Sequence, residues 1–156
     1  MKIRKGDHIP EVVLPDQNGQ QISLGDIWSS KTLVLFFYPK DDTPGCTFEA
    51  CTFRDNYDAF LQAGAEVVGI STDTVSSHKH FSSKYDLPFT LLSDHGSEIR
   101  SLFGVSKTLG LFPGRVTFII DREGVVRHIF NSQLRIKKHI SDALQIIEKL
   151  NKPHQM

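Results

Sequence analysis

Apolar positions in this chain fall into two rhythms. Thr32 to Tyr38 is an almost unbroken apolar run, and Glu66-Val67-Val68-Gly69-Ile70-Ser71 is a second. Continuous runs of that length suit strands covered on both faces. Val12-Val13-Leu14 and Gln21-Ile22-Ser23-Leu24 flank Pro15-Asp16-Gln17-Asn18-Gly19, where Asn-Gly signals a hairpin. Cys46 to about Ala63 reads as a helix ended by Gly64, with an imperfect stripe of Phe48, Cys51, Tyr57, Phe60 and Leu61. Asp73 or Thr74 caps a helix reaching about Tyr85, and Pro88 breaks the chain before the short strand Phe89–Leu92. Ser97 to Phe103 reads as a short helix and Leu109 to Gly114 as a loop. Val116–Ile120 and Val125–Phe130 form a hairpin around Asp121-Arg122-Glu123-Gly124. The last helix runs from about Ile136 to Leu150 with Ile136, Ile140, Ala143, Leu144 and Ile147 on one face.

The order is therefore β-β-β-α-β-α-β-α-β-β-α. Two βα units, an antiparallel hairpin and a closing helix build a mixed central sheet with helices on both faces. That is an α/β, thioredoxin-like layout carrying an N-terminal β-hairpin extension. A chain of 156 residues with 39% apolar content fits one domain, residues 1–156, with an adequate core.

Eighteen basic and eighteen acidic residues cancel, so nothing points to a nucleic-acid groove or an anionic membrane. No apolar run is long enough to span a bilayer, and the first residues lack the apolar region of a secretory signal. A cytoplasmic location is expected, or an organellar stroma after removal of a transit peptide. Two cysteines are too few for a disulfide scaffold, and in a reducing compartment so close a pair is more often catalytic or metal-binding.

Both cysteines lie in Pro39-Lys40-Asp41-Asp42-Thr43-Pro44-Gly45-Cys46-Thr47-Phe48-Glu49-Ala50-Cys51, directly after the first buried strand. Cys46 falls in the first turn of a helix, where the dipole and unpaired N–H groups favour the thiolate. Five helical residues rise about 7.5 Å, placing the two Cα atoms roughly 8.7 Å apart. A disulfide tolerates at most about 6.8 Å, so the first turns of this helix are expected to melt on oxidation. The surroundings fit attack of a thiolate on a peroxide, which expels an oxyanion and needs donors and a cation there. Thr43 can offer a hydroxyl to the sulfur and the peroxide, and Pro39 can shield the thiolate. Arg115, at the mouth of the Val116–Ile120 strand, is the candidate cation, with Glu49 orienting its guanidinium.

Pro39-x-x-x-Thr43-x-x-Cys46 matches the peroxiredoxin active-site motif, and its setting resembles the Q-type branch, also called bacterioferritin comigratory protein. The resemblance covers nearly the whole chain and extends to Gly114–Asp121 and Val126–Asn131. It implies that Cys46 is the peroxidatic thiol and Cys51 the resolving thiol. Thr43 and Arg115 would activate the peroxide, with Pro39 and Glu49 in support. It further implies an intramolecular disulfide recycled by thioredoxin or a similar dithiol, a monomer, and no metal or organic cofactor. Phe48 stands where that branch often has a polar residue. The chain also lacks the Gly-Gly-Leu-Gly segment and Tyr-Phe tail of overoxidation-sensitive members, which implies fast resolution.

Plainer readings stand beside these. Cys51 also reads as simple helix packing, Glu49 as a first-turn acid that complements the dipole, Arg115 as a surface ion pair, and Thr43 as the end of a turn. His78 and His80 do not share a helix face, and no zinc ligand set is apparent. Leu111 and Phe112 either line a substrate mouth or collapse onto the core. The functional alternatives are a thiol–disulfide oxidoreductase, which lacks its C-x-x-C pair, and a redox sensor that signals through helix melting.

Overall fold

The computed structural model describes residues 3–105, 107–108, 112–113, 115–131 and 135–151. A hairpin of β1 (Val13–Pro15) and β2 (Gln21–Ser23) opens it. Its turn is wider than an Asn-Gly pair alone: Asp16 Oδ1 accepts the N–H groups of both Asn18 and Gln20, and Gly19 supplies a φ of +79°. A short helix follows that the apolar pattern had merged with the hairpin. It is α1 (Leu24–Trp28), capped by Ser23 Oγ on Asp26 N–H.

The central sheet joins β3 (Thr32–Phe37), β4 (Ala65–Ser71), β5 (Thr90–Ser93), β8 (Val116–Ile120) and β9 (Val126–Asn131), in the order β5-β4-β3-β8-β9. β3 runs parallel to β4, and β4 to β5; β3–β8 and β8–β9 are antiparallel. The mixed sheet and the N-terminal hairpin agree with the layout expected from the sequence. Two ribbon strands, β6 (Lys107–Thr108) and β7 (Phe112–Pro113), pair antiparallel, the second falling within the loop expected over Leu109–Gly114. The side chains of Leu111 and Phe112 lie outside the described residues.

Strand alternation divides the interior into two cores. Val34, Phe36 and Tyr38 enter one with Cys46, Ala50, Phe53 and Phe60; Leu33, Leu35 and Phe37 enter the other with Leu24, Phe103 and Phe118. Phe36 stacks on Phe53 with centroids 4.6 Å apart and meets Phe89 edge-on at 5.8 Å. Closing helix α6 (Ile136–Leu150) lies where its stripe placed it and buries Ile140, Ala143 and Ile147 in the first core.

The long helix expected over residues 46–63 is two helices, α2 (Pro44–Asp55) and α3 (Tyr57–Gln62). Asn56 separates them: its backbone leaves the helical region at φ −108° and ψ 6°, and its side-chain amide donates to the Thr52 carbonyl at 2.8 Å beside its own N–H. The buried face also differs from the expected stripe. Phe48 is 51% exposed, while Cys46, Glu49, Ala50 and Phe53 turn inward. Cys46, Glu49, Ala50 and Phe53 follow the i, i+3, i+4, i+7 spacing of one helix face, and packing into the first core selects that face over the one carrying Phe48. Helices α4 (Val75–Lys84), capped by Thr74 Oγ1 on Ser77 N–H, and α5 (Glu98–Leu102) complete the chain.

Candidate active site

Strand β3 ends at Phe37, and residues 38–43 turn back to start α2. Thr43 sits at the helix N-cap with extended backbone, and Pro44 follows in the first turn, where its missing N–H costs nothing. Cys46 therefore lies in the first turn, buried at 2% exposure, with a free thiol. Two donors reach its sulfur, the backbone N–H of Lys40 and Nη2 of Arg115, each at 3.5 Å. Both suit a thiolate better than a thiol, which has a proton of its own to place.

Arg115 precedes β8, whose register beside β3 brings its guanidinium across to α2. Nη1 donates to Glu49 Oε1 at 2.6 Å, so one flat fork holds a carboxylate and the sulfur together. Gly45 makes room: a Cβ there would stand 3.1 Å from Arg115 Nη2. Burial pushes the Glu49 carboxyl up to about 7, and the Arg115 charge holds back part of that rise. Burial weakens the Arg115 cation, but the carboxylate of Glu49 and then Cys46 outweigh this and leave it raised.

The remaining expected residues lie close by. Pro39 is half-buried within the turn. Thr43 differs from expectation in one respect: its hydroxyl donates to the Lys40 carbonyl at 2.9 Å, and no bond joins it to Cys46. The 39–43 turn folds back far enough to present that carbonyl, leaving the Thr43 oxygen free to accept. Cys51, half-buried, lies in the same unbroken helix as Cys46.

Several residues were not legible as part of this site. Arg100, buried on α5, donates from Nη2 to the Tyr38 carbonyl at 2.7 Å and lies 5.8 Å from the centre of the Phe37 ring. Burial lowers its pKa, while attraction to Asp94 and Cys46 offsets part of that loss. Asp41 is buried beneath the turn, its carboxylate accepting from Tyr38 Oη at 2.6 Å, Ser77 Oγ at 2.8 Å and His78 Nδ1 at 2.7 Å. Asp42, at φ +57°, accepts from Lys84 Nζ and Tyr85 Oη. Helix α4 thus grips the turn from below. In sequence, Arg100 and His78 look like members of short polar helices, with no local mark of burial. Asp41, Asp73 and His78 also lie close enough to surround a cation. Their oxygens already accept protein donors: Asp73 Oδ2 takes Asp41 N–H and Ser71 Oγ.

Residues 5–129 match the AhpC/TSA family. The chain belongs to that family. Among AhpC/TSA members it is 50% identical to the chloroplastic peroxiredoxin Q of Triticum aestivum, over 96% of this chain and 69% of that one. The fold matches peroxidoxin BcpB of Mycobacterium tuberculosis with a TM-score of 0.88 at 36% identity, covering 95% of this chain and 98% of the other. It also matches the bacterioferritin comigratory protein of Xanthomonas campestris, a protein with alkyl peroxide reduction activity. The TM-score is 0.83 and the identity 31%, over 94% of this chain and all of that one. The peroxiredoxin Q resemblance and the thioredoxin-like layout read from the sequence agree with these likenesses.

Proposed function

We propose that this thiol-dependent peroxidase reduces H2O2 and organic hydroperoxides at Cys46. The observation that carries the reading is the coordination of one buried sulfur by Lys40 N–H and Arg115 Nη2 at 3.5 Å each, with Arg115 clamped by Glu49. The thiolate attacks one peroxide oxygen, the O–O bond breaks, and the departing alkoxide or hydroxide takes a proton. Its developing charge falls where those donors and the helix N-terminus already point. The Thr43 oxygen, its proton spent on Lys40, accepts the peroxide O–H and orients it. Pro39 keeps water off the nucleophile.

The product is a sulfenic acid on Cys46. Cys51 then attacks that sulfur and expels water, forming an intramolecular disulfide. Both cysteines lie in intact helix, so α2 must unwind locally for this step. An external dithiol, thioredoxin in this reading, reduces the disulfide by exchange. The protein acts as a monomer and needs no cofactor. The chloroplastic relative agrees with the organellar option for its location.

The test is stopped-flow reaction of the reduced protein with stoichiometric H2O2, beside Cys46→Ser and Cys51→Ser, with product masses. Expected are fast thiol loss with a two-proton mass loss in the wild type, silence in Cys46→Ser, and a trapped sulfenic acid in Cys51→Ser. Reaction no faster than that of an ordinary free thiol overturns the reading and favours disulfide exchange.

A further inference from the structure

Beneath the catalytic turn lies a buried polar cluster that no step above uses. His78, on α4, is fully buried. Its Nδ1 lies 2.7 Å from Asp41 Oδ2 and its Nε2 lies 2.8 Å from the Leu92 carbonyl. Both partners are acceptors, so the ring fits its site with a proton on each nitrogen. Asp41 is buried as well, and its two oxygens also accept from Tyr38 Oη and Ser77 Oγ. Its own N–H donates to Asp73 Oδ2 at 2.8 Å. Burial, with Asp41 adding to it, pushes the Tyr38 phenol well above its ordinary range, so Tyr38 serves as a donor here.

Asp41 directly follows Lys40, whose N–H is one of the two donors on Cys46 and whose carbonyl holds the Thr43 hydroxyl. A residue locked on every side therefore fixes the Lys40–Asp41 peptide, whose carbonyl holds Thr43, and anchors the adjoining Pro39–Lys40 peptide, whose N–H reaches Cys46. Burying a carboxylate this way is costly unless its lone pairs are filled and its charge is balanced. Among the described residues His78 is the group that does both, and it ties Asp41 across to β5 through Leu92.

We propose that His78 is a positioning residue for peroxide reduction: through Asp41 it holds the Pro39–Thr43 turn so that Lys40 N–H and Thr43 stay aligned on Cys46. This rests on the peroxidase reading above. His78 does not touch Cys46, and the cationic donor Arg115 Nη2 reaches the sulfur from outside the turn, so His78 acts mainly through the alignment of Lys40 N–H and Thr43.

The test compares two reactions of the same sulfur in the reduced, folded protein. Peroxide attack needs aligned donors, whereas alkylation by iodoacetamide needs only the thiolate. Wild type is measured first; a slow wild-type peroxide reaction would count against the peroxidase reading itself, separately from this inference. In His78→Gln and in the isosteric Asp41→Asn, the peroxide rate constant should fall by about 10-fold to 10²-fold, with the alkylation rate changed far less. Loss of folded protein alone would move both rates together. The double variant should lose little more than either single one, because the two residues act in series. Wild-type peroxide rates in either single variant, equal falls in both reactions, or losses that multiply in the double variant overturn the proposal. Should the variants fail to fold, the wild type still decides by NMR: His78 should show two exchange-protected ring N–H signals, and a missing Nδ1–H signal refutes the arrangement.

Discussion

Replacing Glu49 by Gln should change the pH dependence of stability in a direction that can be worked out. The Glu49 carboxyl is buried on α2, and its pKa rises from an ordinary 4.5 to about 7. Below about 4.5 the native and unfolded chains both carry this proton. Between that pH and about 7 only the native chain keeps it, and above 7 neither does. The native state thus binds more protons within that window, and stability falls as pH rises through it. At roughly 1.36 kcal/mol per pH unit, the wild type loses about 3 kcal/mol across the window from this one group. Glutamine keeps the volume and an oxygen for Arg115 Nη1 but has no proton to lose. Removing the charge costs stability of its own, so the difference in slope is the informative quantity. Urea unfolding of reduced wild type and Glu49→Gln, at several values between pH 4.5 and pH 8 or so, measures it. The variant should gain on the wild type by about 3 kcal/mol over that span, since other titrating groups are common to both. A gap that stays flat would mean the Arg115 charge holds Glu49 ionised throughout, and would refute the reasoning.

Arg115→Lys should lower the peroxide rate constant by about 10² to 10³, because one ammonium cannot span Glu49 and Cys46 as the planar fork does; near-wild-type stopped-flow rates would contradict it. Gly69→Ala should destabilise by about 1–3 kcal/mol in urea, since its Cβ would stand 2.7 Å from Phe36 Cζ and 2.9 Å from Leu91 Cδ2; an unchanged midpoint counts against that packing. Oxidation by one equivalent of H2O2 should raise amide exchange across residues 46–51, and equal protection in both redox states would show that α2 need not unwind. A modest excess of peroxide with a dithiol present should leave most Cys46 short of the sulfinic state, as product mass spectra would record.

Much of the architecture followed from local patterns because it depends on local physics. The continuous run of β3 demanded cover on both faces, and the two cores on either side of the sheet supply it. The stripe of α6 put Ile140, Ala143 and Ile147 inward. The misses were also local: Asn56 leaves helical backbone and ends α2, and Ser23 caps a short helix within an apolar run. The spacing from Pro39 to Cys51 was likewise enough to place a thiol in the first turn of a helix, with the second too far along that helix to bond it.

The fork from Arg115 to Glu49 and Cys46 joins residues 66 and 69 positions apart, and only the pairing of β8 with β3 brings them together. The same holds for Arg100 on the Tyr38 carbonyl and for His78 on Asp41. Sequence alone determined which residue types were available and which segments carried them. Tertiary structure decided which charges lost their water and met one another, because desolvation and hydrogen-bond geometry depend on neighbours that no local stretch of chain contains.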